Sequence, residues 1–110
     1  MNAMKNKVQL IGHVGQEPEI KTFDGGKKVA NISLATNDSY TNAKGEKVED
    51  TQWHKVKAWG KLAEIIEKYV TKGKEICVEG KLTYSDYIDK DGEKRYVTEI
   101  VISDLLLLGK

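Results

Sequence analysis

Trp53, Lys55, Lys57 and Trp59 take alternate places in one short run, with His54, Val56 and Ala58 between them. In an extended strand successive side chains point to opposite faces, so the first four share one face and the other three share the other. An indole is a flat π surface and an ammonium a compact cation. Together on one face they suit a single-stranded nucleic acid, whose unpaired bases stack on aromatic rings and whose phosphates attract cations. Both tryptophans of the chain lie in this run. The competing reading makes the indoles ordinary core residues and the lysines a solvated edge.

The elements that would position this run can be read from hydrophobic period. Lys7 to Val14 alternates with apolar residues on both sides, Val8, Leu10 and Val14 on one and Ile11 on the other, which predicts a first strand covered by a barrel interior and by a partner subunit. Pro18 and Asp24-Gly25-Gly26 punctuate the next stretch, and Lys28 to Thr36 reads as a second strand. Asn37 to Asp50 is polar, carries Tyr40, and is expected to be a long loop before the third strand. Leu62, Ile65, Ile66, Tyr69 and Val70 then recur at helical spacing, with Gly60 placed to start the helix and Gly73 to end it. Lys74 to Ile88 returns to alternation, with Gly80 placed for a bend. Asp89 to Glu93 is a turn, and Arg95 to Ser103 supplies the last strand.

Three strands, a helix and two strands is the order of an all-β fold with one helix, the five-stranded oligonucleotide/oligosaccharide-binding (OB) Greek-key barrel. The 110 residues fit one domain, 1–110, with no linker or repeat. A net charge of +1 from 18 basic and 17 acidic residues excludes polyanion binding by bulk charge, so any nucleic-acid site must be a local patch. No apolar run approaches the roughly 20 residues that span a bilayer, and Met1 to Lys7 lacks a signal-peptide core, so a soluble, cytoplasmic protein is expected. Cys77 is the only cysteine and sits in an apolar run, which suits a structural role.

The residues also carry a family resemblance. Asn6-Lys7-Val8 through Gly12, Val14 to Glu19, Val29 to Thr36, Trp53-His54-Lys55, Trp59 to Glu64 and Gly80-Lys81-Leu82 follow one another as in bacterial-type single-stranded DNA-binding proteins, from about Asn6 to about Ile102. The resemblance implies a homotetramer of OB barrels that wraps single-stranded DNA during replication, recombination and repair, at the nucleoid. It implies stacking on Tyr40, Trp53, Trp59 and Tyr87, with Lys55 and Lys61 at the family's basic positions and Lys72 and Arg95 as further matches. Tyrosine replaces the family's usual tryptophan at Tyr40 and Tyr87, tryptophan replaces phenylalanine at Trp59, and Lys57 adds a charge where an apolar residue is common. The histidine after the first tryptophan lies near a subunit contact in the family, which assigns His54 to an interface. The family's flexible linker and acidic tip, which recruit replication and repair proteins, are not in this sequence, which closes on Leu105 to Lys110. Either the tail has been removed, or this is a minimal member that does not recruit those partners.

Other chemistries fit poorly. Asp89, Asp91, Gly92 and Glu93 lack the remaining ligand positions of a calcium loop, and His13, His54 and Cys77 are not ligand-spaced for zinc. No nucleophile–base order, phosphate-cradling loop or carboxylate pair points to an enzyme, and no cofactor or metal is expected. Two non-enzymatic alternatives remain at this level: a dimeric OB-fold replication-restart accessory protein, and a protein–protein module that uses the same aromatic face.

Overall fold

In the computed structural model, which describes residues 5–109, β1 (Val8–Val14), β2 (Glu19–Thr22), β3 (Lys28–Thr41), β4 (Lys47–Trp59), β5 (Glu75–Ile88) and β6 (Lys94–Leu107) surround one helix, α1 (Lys61–Tyr69). Met1 to Met4 of the N-terminal stretch and Lys110 of the closing stretch lie outside the described residues. The sheet runs β1-β5-β6-β4-β3-β2, and a further β1–β3 pairing closes five of the strands into a barrel. The expected barrel is therefore present, with the short β2 added along the start of β3, where Ile20 faces Ala30.

Alternation builds the core. Ala30, Ile32 and Leu34 of β3, Val56 and Ala58 of β4, Ile76 and Val78 of β5, and Ile100 and Ile102 of β6 point inward and are buried. Ala63 and Ile66 of α1 close one end, and the helix packs on β3, β4 and β6. Gly60, at φ 62°, starts the helix as expected, and Glu64 and Lys68 lie at the ends where the helix dipole favours them. Its end is not at Gly73: the helix stops at Tyr69, with Val70 N–H still bonded to the Ile66 carbonyl, while Gly73 serves the turn into β5 and donates to the Val14 carbonyl at 2.7 Å. Lys28 ties the helix to β3 through Glu67 at 2.6 Å, and this hydrogen bond holds the Lys28 ammonium above its ordinary pKa.

The expected loop at Asn37–Asp50 is instead a β-hairpin arm, because β3 and β4 stay paired from Asn37/Thr51 out to Thr41/Lys47. Strand periodicity missed it because both sides of the arm are wet, so no apolar alternation marks it. Its tip is organised by Asn42, whose side-chain oxygen accepts from Lys44 N–H at 2.9 Å and Glu46 N–H at 3.0 Å. Asp89 repeats the device at the tip of the β5–β6 arm, accepting from Asp91 and Glu93 N–H at 2.9 Å each. In both turns a glycine at φ 79°, Gly45 or Gly92, fills the left-handed position of a three-residue hairpin loop. The two arms raise the radius of gyration to 16.1 Å, against about 13 Å for a compact chain of this length. No helix among the described residues is long and apolar enough to cross a membrane.

Gly80 sits at the register irregularity in β5, where a Cβ would collide with the Val101 carbonyl and crowd Ile102. Gly80→Ala is expected to lower stability by about 1–3 kcal/mol, the usual cost of overpacking, read as a lower urea midpoint at unchanged m. An unshifted midpoint would show that the bulge does not depend on the missing side chain.

Candidate nucleic-acid interface

Once Val56 and Ala58 point into the barrel, the period of the strand turns Trp53, Lys55, Lys57 and Trp59 to the outside. Trp53 is 62 % exposed and Trp59 39 %, so neither indole is a core residue. They stand about 20 Å apart at a rise of about 3.3 Å per residue. The face widens across β3, where Ala35 opposes Trp53, Ser33 opposes Lys55, Asn31 opposes Lys57 and Val29 opposes Trp59. Beside Lys55 lies an open groove of about 550 Å³, lined by Glu17, Glu19, Asn31, Ser33, Lys55 and Glu99.

Each indole is held by a neighbour that sequence reasoning did not single out. Trp53 lies against Gly15, where a Cβ would run into its six-membered ring. Trp59 is stacked with Phe23 of the β2–β3 turn, at 6.1 Å between centroids and 24° between planes. Lys27 of the same turn lies 5.1 Å from the Trp59 ring centroid, and Lys57 lies 6.0 Å from it. No local pattern announces these contacts, because the turn meets the end of β4 only through the β2–β3–β4 ladder.

The cations are not equivalent. Lys55 makes no ion pair among the described residues, whereas Lys57 faces Glu99 of β6 at 3.4 Å, with side chains only 27 % and 20 % exposed. Arg95 donates from Nε to Asp89 Oδ2 at 2.8 Å, so it clamps the tip of its own arm; this bond and the backbone N–H of Glu93 hold the Asp89 carboxyl below the usual carboxylate range. Lys61 begins α1 and Lys72 follows it, its N–H donating to the Glu17 carboxylate at 3.0 Å.

The remaining aromatics are exposed on the two arms. Tyr87, opposite Arg95, shares the side of the β5–β6 ladder that carries Glu99 and so continues the Trp53 face. Tyr40 falls, by register, on the side of Leu34 and His54, opposite Trp53. His54 is half-buried, and a 2.9 Å hydrogen bond joins its Nε2 to Thr36 Oγ1 within the same chain.

Barrel and face together define the class of OB-fold binding proteins. The model of the single-strand binding protein family matches residues 5–108, and the chain belongs to that family. It is 44 % identical over 105 residues to single-stranded DNA-binding protein 1 of Chlorobaculum tepidum, covering 94 % of this chain and 65 % of that protein. It is 48 % identical over 106 residues to the single-stranded DNA-binding protein of Bacteroides thetaiotaomicron, covering 94 % and 66 %. The chain thus spans a little under two-thirds of the length of these relatives. A solved Plasmodium falciparum SSB in complex with ssDNA superposes with a TM-score of 0.88 at 36 % identity, covering 99 % of this chain and 100 % of that one. A deletion mutant of the single-stranded DNA binding protein from Thermus aquaticus superposes at 0.81 and 32 % identity, covering 94 % and 50 %. The family is one of DNA-binding proteins and not of enzymes, and the match favours it over the restart accessory protein and the protein–protein module.

The two indoles should differ in solution. Acrylamide is expected to quench Trp53, isolated in Trp59→Phe, with a larger Stern–Volmer constant than Trp59, isolated in Trp53→Phe. The reverse order would mean that Phe23 and Lys27 do not shelter Trp59.

Proposed function

We propose that the protein coats single-stranded DNA without reading its sequence, serving replication, recombination and repair in the cytoplasm at the nucleoid. The observation that carries this reading is the open Trp53 indole on the barrel's outer face, on the same side of β4 as the Lys55 ammonium, which makes no ion pair among the described residues. Bases stack on Trp53, Trp59 and the arm tyrosines Tyr40 and Tyr87, while Lys55, Lys61 and Lys72 neutralise phosphates. Each stack is worth about 1–3 kcal/mol and tolerates any base, since every base has a π face. Lys57 and Arg95 contribute less charge than their type implies, because Glu99 and Asp89 already compensate them. Titration with poly(dT) tests the reading: intrinsic emission is quenched by the single strand and not by duplex, and an unchanged signal would sink it. Lys55→Ala is expected to flatten the log–log salt dependence by about 0.7, one phosphate on a single strand, and Lys57→Ala by clearly less. Equal losses would show that Lys57 leaves Glu99 when DNA binds.

A homotetramer accounts for the outer side of β1. Ile11 is 55 % exposed; through Cys77 it lies in one row with Leu106, which is 60 % exposed, and the polar row Gln9, Glu79 and Asp104 flanks it. Such an apolar stripe with a polar border suits a self-complementary contact, and four tethered barrels raise one another's effective concentration on a single strand. His54 joins this scheme as the family's interface histidine, with Thr36 as its partner inside the chain. In sedimentation equilibrium the parent is expected to be a tetramer, and the double variant Ile11→Asp with Leu106→Asp a smaller species. A tetramer that survives both substitutions would place the interface elsewhere.

A further inference from the structure

The β2–β3 turn brings to the Trp59 end of the face an aromatic ring and a cation that the stacking track described above does not use. Phe23 is 49 % exposed although its ring is stacked with Trp59, so part of its surface remains open to solvent. Its position is fixed from both sides: Phe23 N–H donates to the Lys27 carbonyl at 2.7 Å, and Gly26 N–H donates to the Phe23 carbonyl at 3.0 Å. Gly25 and Gly26 take φ of 88° and 82°, a turn that residues with a Cβ rarely adopt, and this holds the tip against the end of β4. Lys27 lies over Trp59 and makes no ion pair among the described residues. Lys21 of β2 stands opposite Val29, which stands opposite Trp59, so a second lysine shares the row.

We propose that Phe23 and Lys27 form a further subsite for single-stranded DNA, which rests on the DNA-binding reading above and extends the Trp53–Trp59 track past the end of β4. Phe23 and Lys27 shelter only part of Trp59, which stays 39 % exposed and keeps its own place in the track, and the base beyond it lies on the open surface of Phe23. The adjoining phosphate meets the Lys27 ammonium, which gives up a weak cation–π contact rather than a carboxylate partner. The subsite is preorganised, because the two glycines and the closed turn set its geometry before any strand arrives.

The test uses the full chain and 5′-labelled dT oligonucleotides of increasing length, followed by anisotropy at several salt concentrations. Phe23→Ala and Phe23→Leu are both expected to weaken binding of the longer oligonucleotides by about 5- to 150-fold, the range of one lost base–aromatic stack. Oligonucleotides too short to reach past Trp59 are expected to bind as they do to the parent. Lys27→Gln is expected to flatten the salt slope by about 0.7. Leucine keeps an apolar cover on Trp59 and removes the π face. Parent-like binding by Phe23→Leu at every length, with or without a defect in Phe23→Ala, would reduce Phe23 to packing and overturn the subsite. Failure of the parent chain itself to bind dT would overturn the DNA-binding reading and this subsite with it.

Discussion

The barrel closes along two short seams, and what it presents outward follows from that closure. β1 meets β3 only at His13/Ala35 and Val14/Leu34, and β4 meets β6 only at Val56/Ile100 and Lys57/Val101. At the β1–β3 seam the backbones come closer than a Cβ permits, Gly12 lying against the Ala35 carbonyl, and the β5–β6 ladder beside the other seam has the same close approach, Gly80 against the Val101 carbonyl. Once the strands are closed, each has one side committed to the interior, and the other side of β4 is outward by exclusion. A slip of one residue would bury two indoles and two ammonium groups and expose Val56 and Ala58, so the core enforces the register of the binding face.

The shortness of the β4–β6 seam has a second effect. Beyond Val56 and Ile100 the two strands part, each continuing into its own arm, and a cleft of about 260 Å³ opens between Trp53, His54, Leu82 and Tyr96. The arms bury little apolar surface, and their ladders rest on backbone bonds and on polar pairs such as Thr51 Oγ1 donating to Asn37 Oδ1 at 2.7 Å. Segments of that kind sit at the low end of local stability and open before the core does. The fold therefore joins a core-backed strand that carries the two indoles to two compliant arms, an arrangement that under the proposed function suits a flexible polymer with no single path.

Much of this was legible in the residues because burial writes itself into period. The alternation at Lys28–Thr36 and around Trp53–Trp59, and the helical stripe from Leu62 to Val70, each mark one side facing the core. The β5–β6 arm was legible as two strands about the Asp89–Glu93 turn, whereas the β3–β4 arm, the four-residue β2 and the continuation of β6 through Leu107 were missed or cut short, for different reasons. The β3–β4 arm has no dry side to produce a period. β2 has one half-buried residue, Ile20, too few to show one, and the closing leucines alternate only between half-covered and open. Gly15 beneath Trp53, Phe23 on Trp59 and Glu99 beside Lys57 depend on contacts between distant segments, which no local pattern encodes.

Composition also misleads about the face until geometry is added. A chain with net charge +1 has little long-range attraction for a polyanion, and two of the cations nearest the track, Lys57 and Arg95, are already paired with carboxylates. Under the proposed function the aromatic rings therefore carry more of the binding than the lysines, and their placement decides the proposed route. Trp53, Trp59 and Tyr87 can be followed along one side of the sheet, whereas Tyr40 starts on the other side of its ladder. Two-stranded ribbons twist more strongly than wide sheets. Such twist, accumulated along the β3–β4 arm, would turn Tyr40 toward a strand running over Trp53, so the stacking role proposed for Tyr40 depends on the length of the arm.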